Sequence, residues 1–356
     1  MVQLDVAIDS EELFGHYVYE TPVASSLTAH YNALIEQIFA VYSRIRGAKA
    51  VPAQCFEMGS NNGEFLAALR DRVNIPLLGI EPAKNIAEIA RARGFETACE
   101  FFSMATVREF RAIHGTTDLF VARHCMAHLD DLRGTLCAIA EILTPNGIAV
   151  IENAYVMSTL RGAQFDQLYH EHMSYFAFRP MKQLLEACGL HVHHVDTSTV
   201  HGGSLLLFVS KKPYEEEPES VTQMLVHEES LPRDLDTFAF SAQTCIAGLQ
   251  RGVSAASGLM DSYGATAKGN TLLNVIGDAW RHIRFAVDST PSKQGLYLPG
   301  TGIPVISEEA AERNRPDVYL LTAWNYEAEI VAKNRAFIDK GGRFLVPLPF
   351  PRMVAR

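Results

Sequence analysis

The stretch QCFEMGSNNGEFLAALRDRV, residues 54–73, decides the fold. QCFEMG reads as a buried strand that stops at the turn GSNNG, and EFLAALRDRV reads as the helix that follows. Glycine permits a tight turn and lets a ligand come close to the backbone. A helix start offers free N–H groups to a carboxylate or phosphate. The dinucleotide fingerprint GxGxxG is not met, which disfavours a pyrophosphate. Glu57, at the strand end, suits a cationic amino group better than a phosphate. The next strand, PLLGIEP (76–82), sets Glu81 just past its end, where an acid can accept both ribose hydroxyls. An ordinary strand–helix turn is the alternative for GSNNG alone. Taken together, Glu57, the turn and Glu81 favour an adenosine-type ligand with an amino acid tail, which is S-adenosylmethionine.

Working outward, the alternation continues. NIAEIARARG (85–94) is a helix ending on Gly94. DLFVARH (118–124), a helix through Ile142 and GIAVIENAY (147–155) follow. Strands alternating with helices argue for a parallel sheet covered on both faces. HVHHVDTST (191–199) and GSLLLFVSKK (203–212) read as two neighbouring strands that close the first domain. PYEEEPES (213–220) marks a boundary, its charge run being a solvated face. A second strand–helix series starts near residue 258. The expected layout is a helical lead-in over 1–45 and an S-adenosylmethionine-binding domain over 46–213. A helical connector (214–252) and a smaller Rossmann-like substrate domain (253–356) follow. The lead-in is helical because apolar residues recur at near-helical spacing between Ser26 and Tyr42.

A chain of 356 residues is too long for one ordinary domain. Its 48% hydrophobic and 20% charged composition excludes disorder as the general state. No apolar run reaches membrane-spanning length, and the start has no secretory pattern. The net charge of -10 and the lack of a basic stripe argue against nucleic acid as a partner. Six scattered cysteines without a CxxC pair suggest neither zinc nor a disulfide framework and fit a reduced, cytoplasmic setting.

FDQLYHEH (165–172) is the densest set of titratable groups. Histidine and glutamate can ligate metal, but no zinc-like spacing occurs, and a surface loop with chance histidines is the plain alternative. A histidine is a suitable general base near neutral pH. A neighbouring glutamate can orient it, and Tyr169 can donate to a developing oxyanion. His191, His193 and His194 lie on a strand and read as packing or surface residues. His201-Gly202-Gly203-Ser204 is a turn whose glycines allow close substrate approach or serve as structural punctuation.

The chain resembles the sugar C-methyltransferases that act on nucleotide-linked keto-deoxysugars in antibiotic pathways. GSNNGEFL, GIEPAKNIAEIARARGF, IENAY, FDQLYHEHMSYF and VHGGSL carry the resemblance in the first half. YGATAKGNTLLN, DSTPSKQGLYLPGTGIP, PDVYLLTAWNYEAEI and GGRFLVPLP carry it in the second. It runs from about residue 12 to about residue 351. YHEHxSYF and YGAxxKGN are specific patterns; GSNNG alone is not. The resemblance implies a class I methyltransferase domain followed by a second Rossmann-like domain. It implies His172 as base, supported by Tyr169 and Glu171. The base would remove a proton beside a ketone, and the resulting enolate carbon would attack the sulfonium methyl. Positioning would supply much of the rate. Methyl transfer to oxygen or nitrogen of another natural-product precursor is the alternative. The expected cofactor set is Glu57, Gly59, Ser60, Asn61, Gly63, Glu81, Pro82, Phe102 and His124. The expected substrate set is Tyr19, His201, Gly202, Ser204, Lys268, Lys293 and Asn325. No metal is expected.

Departures from the family pattern accompany the match. The cysteine-rich zinc domain that usually opens these chains is not seen. Asn62 stands where Asp is usual, and Arg123-His124 replaces Asn-Val. Leu206 stands where Arg is common, and Gly302 replaces a His. Such losses imply a substrate lacking some of the usual phosphate or sugar groups.

Overall fold

The computed structural model describes residues 2–3, 10–14, 21, 25–47 and 50–356. Two compact units result. One holds the described residues up to Val156 together with His170–Ser230. The other holds Met157–Tyr169 and Leu231–Arg356. These boundaries run differently from the divisions read in the sequence. The stretch 157–169 belongs with the C-terminal half. The helical region expected as a connector is shared, Glu219–His227 going to the first unit and Leu231–Ala255 to the second. An internal excursion of this kind leaves no break in hydrophobic periodicity, so no composition shift announces it.

The main sheet of the first unit has seven strands: β1 (Cys55–Met58), β2 (Leu77–Ile80), β3 (Glu96–Ala98), β4 (Thr117–Arg123), β5 (Leu143–Ala154), β6 (His191–Ser198) and β7 (Ser204–Ser210). Their spatial order is β3-β2-β1-β4-β5-β7-β6. The first five are parallel, and β7 runs antiparallel to both neighbours. The order reverses between β1 and β4, which makes the carboxyl ends of those strands the ligand crevice of an open α/β sheet. α1 (Ser25–Arg46) buries Leu27, Tyr31, Leu34, Ile35, Ile38, Val41 and Tyr42. That 3.6-period stripe joins Phe65, Leu66, Leu119, Val121 and Val150 in one core. α2 (Glu64–Arg70) follows the glycine turn and contributes Phe65, Leu66 and Leu69.

The second unit has β8 (Met260–Tyr263), β9 (Ile283–Val287), β10 (Val305–Ile306), β11 (Val318–Leu321), β12 (Arg343–Val346) and β13 (Arg352–Val354). Their order is β10-β9-β8-β11-β12-β13, parallel except for β13. This is a smaller Rossmann-like sheet with its own reversal between β8 and β11. Among the described residues, no helix is long and apolar enough to cross a membrane.

Candidate active site

The glycine turn is shaped by left-handed residues. Gly59, Asn61 and Gly63 have φ of 64°, 47° and 79°. A Cβ on Gly63 would stand 2.6 Å from the Phe95 ring, so both the backbone angle and the packing require glycine there. Glu81, buried, accepts from Asn61 N at 3.0 Å through Oε2 and from Ala83 N at 2.9 Å through Oε1. It therefore ties the β1 turn to the β2 turn. Burial pushes its carboxyl up, against the two backbone donors. Ser60 is buried beside Gly79, whose missing side chain makes room for its hydroxyl. Asn62 donates to the Thr21 carbonyl at 3.0 Å, and Asn61 accepts from Thr21 N at 2.8 Å. Pro82 follows Glu81 at the β2 end. Phe102 packs in an aromatic group with Phe56 and Phe120, centroids at 6.1 and 5.3 Å.

Strand register assembles a buried charged cluster beside this turn. Arg123 on β4 is the register partner of Glu152 on β5. Glu57, on β1, lies on the same face. Arg123 Nη2 donates to Glu57 Oε1 at 3.0 Å, and its guanidinium lies 4.4 Å from the Tyr31 ring and 4.7 Å from the Phe65 ring. Burial pushes the Glu57 carboxyl up to about 7, in spite of Arg123. For Glu152, burial acts upward as well. The His30 hydrogen bond and the charges of His124, His30 and Arg123 overcome it and hold the carboxyl at about 2. Glu152 Oε1 accepts from Ser198 Oγ at 2.9 Å, and its carboxylate meets His30 Nε2 at 2.9–3.0 Å. His124 adopts φ of 54°, donates its N–H to the Glu152 carbonyl at 2.6 Å, and stacks edge-on with His201 at 4.3 Å. Thus His124 and His201, expected in separate sets, are brought together. Gly202 and Gly203 also have positive φ. Ser204 is fully buried and donates to the Val200 carbonyl at 2.8 Å, so it holds that turn.

The histidine-rich segment is a turn and loop, not a strand. Tyr169 is the last residue of its stretch in the second unit, whereas His170, Glu171 and His172 belong to the first. His170 is exposed; Tyr169, Glu171 and His172 are half-buried. Two bonds moor the loop to the segment after β4. Met173 N donates to the Ala127 carbonyl at 2.8 Å, and His128 Nδ1 meets the Glu171 carbonyl oxygen at 2.7 Å. The His128 and His172 rings lie 5.2 Å apart, and Tyr175 packs at 6.3 Å from His172. Burial lowers the His128 pKa and raises that of Glu171, the latter opposed by His170. Tyr19 lies outside the described residues.

In the second unit, Lys268, Lys293 and Asn325 lie on the segments that follow β8, β9 and β11. Lys268 sits 5.4 Å from the Trp324 ring. Burial lowers its ammonium to about 8, against the charge of Asp166. Asp166 is fully buried and accepts from Trp324 Nε1 at 2.6 Å. Its pKa is raised to about 6 by burial, against Lys268 and Trp324. Lys293 donates to the Ala265 carbonyl at 2.9 Å and lies 3.7 Å from Asp288. Asn325 is in the turn Trp324–Tyr326. Among the described residues, no group of three or more His, Cys, Asp or Glu side chains could hold a metal ion.

Sequence reasoning missed His30, Arg123, Glu152, Asp166 and His128 as site residues. Their partners lie far along the chain, joined by strand register for Arg123 and Glu152 and by packing of helices and turns for the others. The one usable signal was Arg123 itself, a charged residue ending an otherwise apolar strand.

A methyltransferase domain model matches residues 29–195, and a C-methyltransferase C-terminal domain model matches residues 199–349. The C-methyltransferase NovU of Streptomyces niveus is 36% identical across all of this chain and 85% of its own length. The chain belongs to the C-methyltransferase family. It is an S-adenosylmethionine-dependent methyltransferase with a class I domain and a second Rossmann-like domain. Distant solved structures include the plantazolicin methyltransferase BpumL with a triazolic desmethylPZN analog and SAH. It is 12% identical over 53% of this chain and 86% of that one, with a TM-score of 0.42. A methyltransferase from Clostridium acetobutylicum is 11% identical over 53% and 98%, with a TM-score of 0.37. Arg123 and Leu206 are the register partners of Glu152 on either side.

The site suits the methyl donor. Glu57 Oε2 is a buried carboxylate oxygen with no hydrogen-bond partner. Leaving it so is costly unless a ligand cation completes it.

Proposed function

We propose that this methyltransferase methylates carbon next to the ketone of a nucleotide-linked deoxysugar, with His172 as general base. The observation that carries the reading is the mooring of the His172 loop to the segment after β4. This holds the imidazole beside His128 at the carboxyl end of the sheet. Glu57, Gly59, Ser60, Asn61, Gly63, Glu81, Pro82, Phe102 and His124 form the cofactor site. Bound S-adenosylmethionine supplies an electrophilic methyl group on a sulfonium that leaves as a neutral thioether.

The chain's own residues do the rest. His172 takes the proton from the carbon beside the ketone. Tyr169 donates to the developing enolate oxygen, and Glu171 orients the imidazole. A buried His128 stays neutral near pH 7 because burial lowers its pKa, so it adds no competing charge next to the base. In the second unit, Lys268, Lys293 and Asn325 are groups suited to the anionic and hydroxyl parts of an acceptor.

The test is His172→Ala assayed with keto-deoxysugar nucleotides. Turnover should fall by about 10²–10⁴-fold, while S-adenosylhomocysteine affinity stays within about twofold. Unchanged turnover would remove His172 as base.

A further inference from the structure

We propose that Cys137 and Cys188 form an oxidation site, two thiols that close to an intramolecular disulfide when the chain meets a hydroperoxide.

The six cysteines are scattered along the sequence, and the fold brings these two together. Cys137 lies midway along the helix Leu132–Ile142, and Cys188 ends the helix Phe178–Ala187. Their sulfurs stand 2.9 Å apart although 51 positions separate them in the chain. A side-chain adjustment of about 1 Å brings the pair to bonding distance. Both residues belong to the first unit and both are half-buried, so each presents some surface to a small oxidant. Cys99, Cys125 and Cys245 donate to backbone carbonyls instead, and Cys55 is fully buried.

The steps balance with hydrogen peroxide as oxidant. Burial and the neighbouring Cys137 push the Cys188 thiol up, so Cys188 is slow to react as a thiolate and Cys137 is oxidised first. Its sulfur attacks the peroxide. An S–O bond forms, the O–O bond breaks, and hydroxide leaves with the thiol proton as water. Cys188 then gives up its proton and attacks the sulfenic sulfur. The S–S bond forms, the S–O bond breaks, and a second water leaves. The two sulfurs are oxidised by two electrons in total, which the peroxide oxygens take up.

The place of the pair gives the bond a consequence. The helix Leu132–Ile142 follows the segment with Ala127 and His128, and the helix Phe178–Ala187 follows the loop with Glu171, His172 and Met173. The Ala127–Met173 and His128–Glu171 hydrogen bonds already join the stretches ahead of these helices. A disulfide joins them a second time, covalently. Because it closes a long loop, it restricts the unfolded chain and stabilises the unit. The competing account is a packing contact between two neutral thiols, with Cys188 also donating to the Arg133 carbonyl at 3.6 Å.

The experiment treats the reduced full chain with hydrogen peroxide, counts thiols after denaturation and maps linked peptides by mass spectrometry. The six thiols should lose two and leave four, with residues 137 and 188 linked within the monomer and released by dithiothreitol. The urea midpoint of the first unit should rise by about 1 M on oxidation and return on reduction. Cys188→Ser should abolish the link and the midpoint shift, and should leave a sulfenic acid on Cys137 that dimedone traps. Six thiols still free, a link between other cysteines or between two chains, or thiol loss that dithiothreitol does not reverse would overturn the proposal. A midpoint shift that survives in Cys188→Ser would overturn it as well. Peptide mapping on the wild-type chain decides the case even if that variant does not fold.

Discussion

Glu57 is an acid held in a fully buried position beside one cation, and its chemistry should be visible in pH dependence. Its folded pKa, about 7, is above the ordinary 4.5. The unfolded chain therefore loses this proton at lower pH than the folded one. Between pH 4.5 and 7 the folded state binds more protons, so this residue makes stability fall as pH rises. The full effect is about 3 kcal/mol, complete above pH 7. Glu57→Gln should flatten that segment of the stability-against-pH curve, measured by urea unfolding, whatever its offset. A slope unchanged from wild type would contradict the assignment. Glu152 acts in the opposite sense. Its folded pKa of about 2 is below 4.5, so its contribution is present above pH 4.5 and is lost as pH falls through 2. His30→Ala should shrink this acid-side contribution, read as a gentler loss of stability below pH 4.5. Legibility at this scale was partial. Glu57, Glu81 and His172 stand inside recognisable local patterns. Arg123 and His30 meet their partners 66 and 122 residues away, the first through strand register and the second through the packing of α1 on the sheet.

The turn between β1 and α2 is where element geometry is least forgiving. Gly63 has φ of 79° and faces the Phe95 ring. Gly63→Ala should cost about 1–3 kcal/mol from the left-handed backbone and the steric contact, read as a lower urea midpoint. It should weaken S-adenosylhomocysteine as well, because Asn61 and Glu81 lock the same turn. Loss of neither would show that the turn tolerates a side chain. Most elements here were readable, since GSNNG and IENAY stand at ends of apolar strands whose period and punctuation are clear. The histidine loop was not. Alternation in YHEH looks the same for a strand or a loop, and its conformation is set by the bonds of Met173 and His128 to the segment after β4.

At the scale of the molecule, each unit has its own core, one around α1, α2 and the first sheet, the other around Leu231–Ala255 and the second. Calorimetry should then depart from a single two-state transition. S-adenosylhomocysteine at a hundredfold excess over its Kd should stabilise the first unit by about 2.7 kcal/mol and raise its transition selectively. A single transition shifted as a whole would contradict separate unfolding. The two sheets were legible as two strand–helix series, but the return of residues 157–169 to the C-terminal unit was not, because nothing local distinguishes that stretch.

The central claim is proton removal by His172 from the carbon that is methylated. The most direct test incubates keto-deoxysugar nucleotides with the protein and S-adenosylhomocysteine in deuterated water. Deuterium should enter the carbon beside the ketone with the wild-type chain and not with His172→Ala, and the methyl group should later be found on that carbon. A methyl group delivered to oxygen or nitrogen without carbon exchange, or exchange that persists in the His172 variant, would contradict the account.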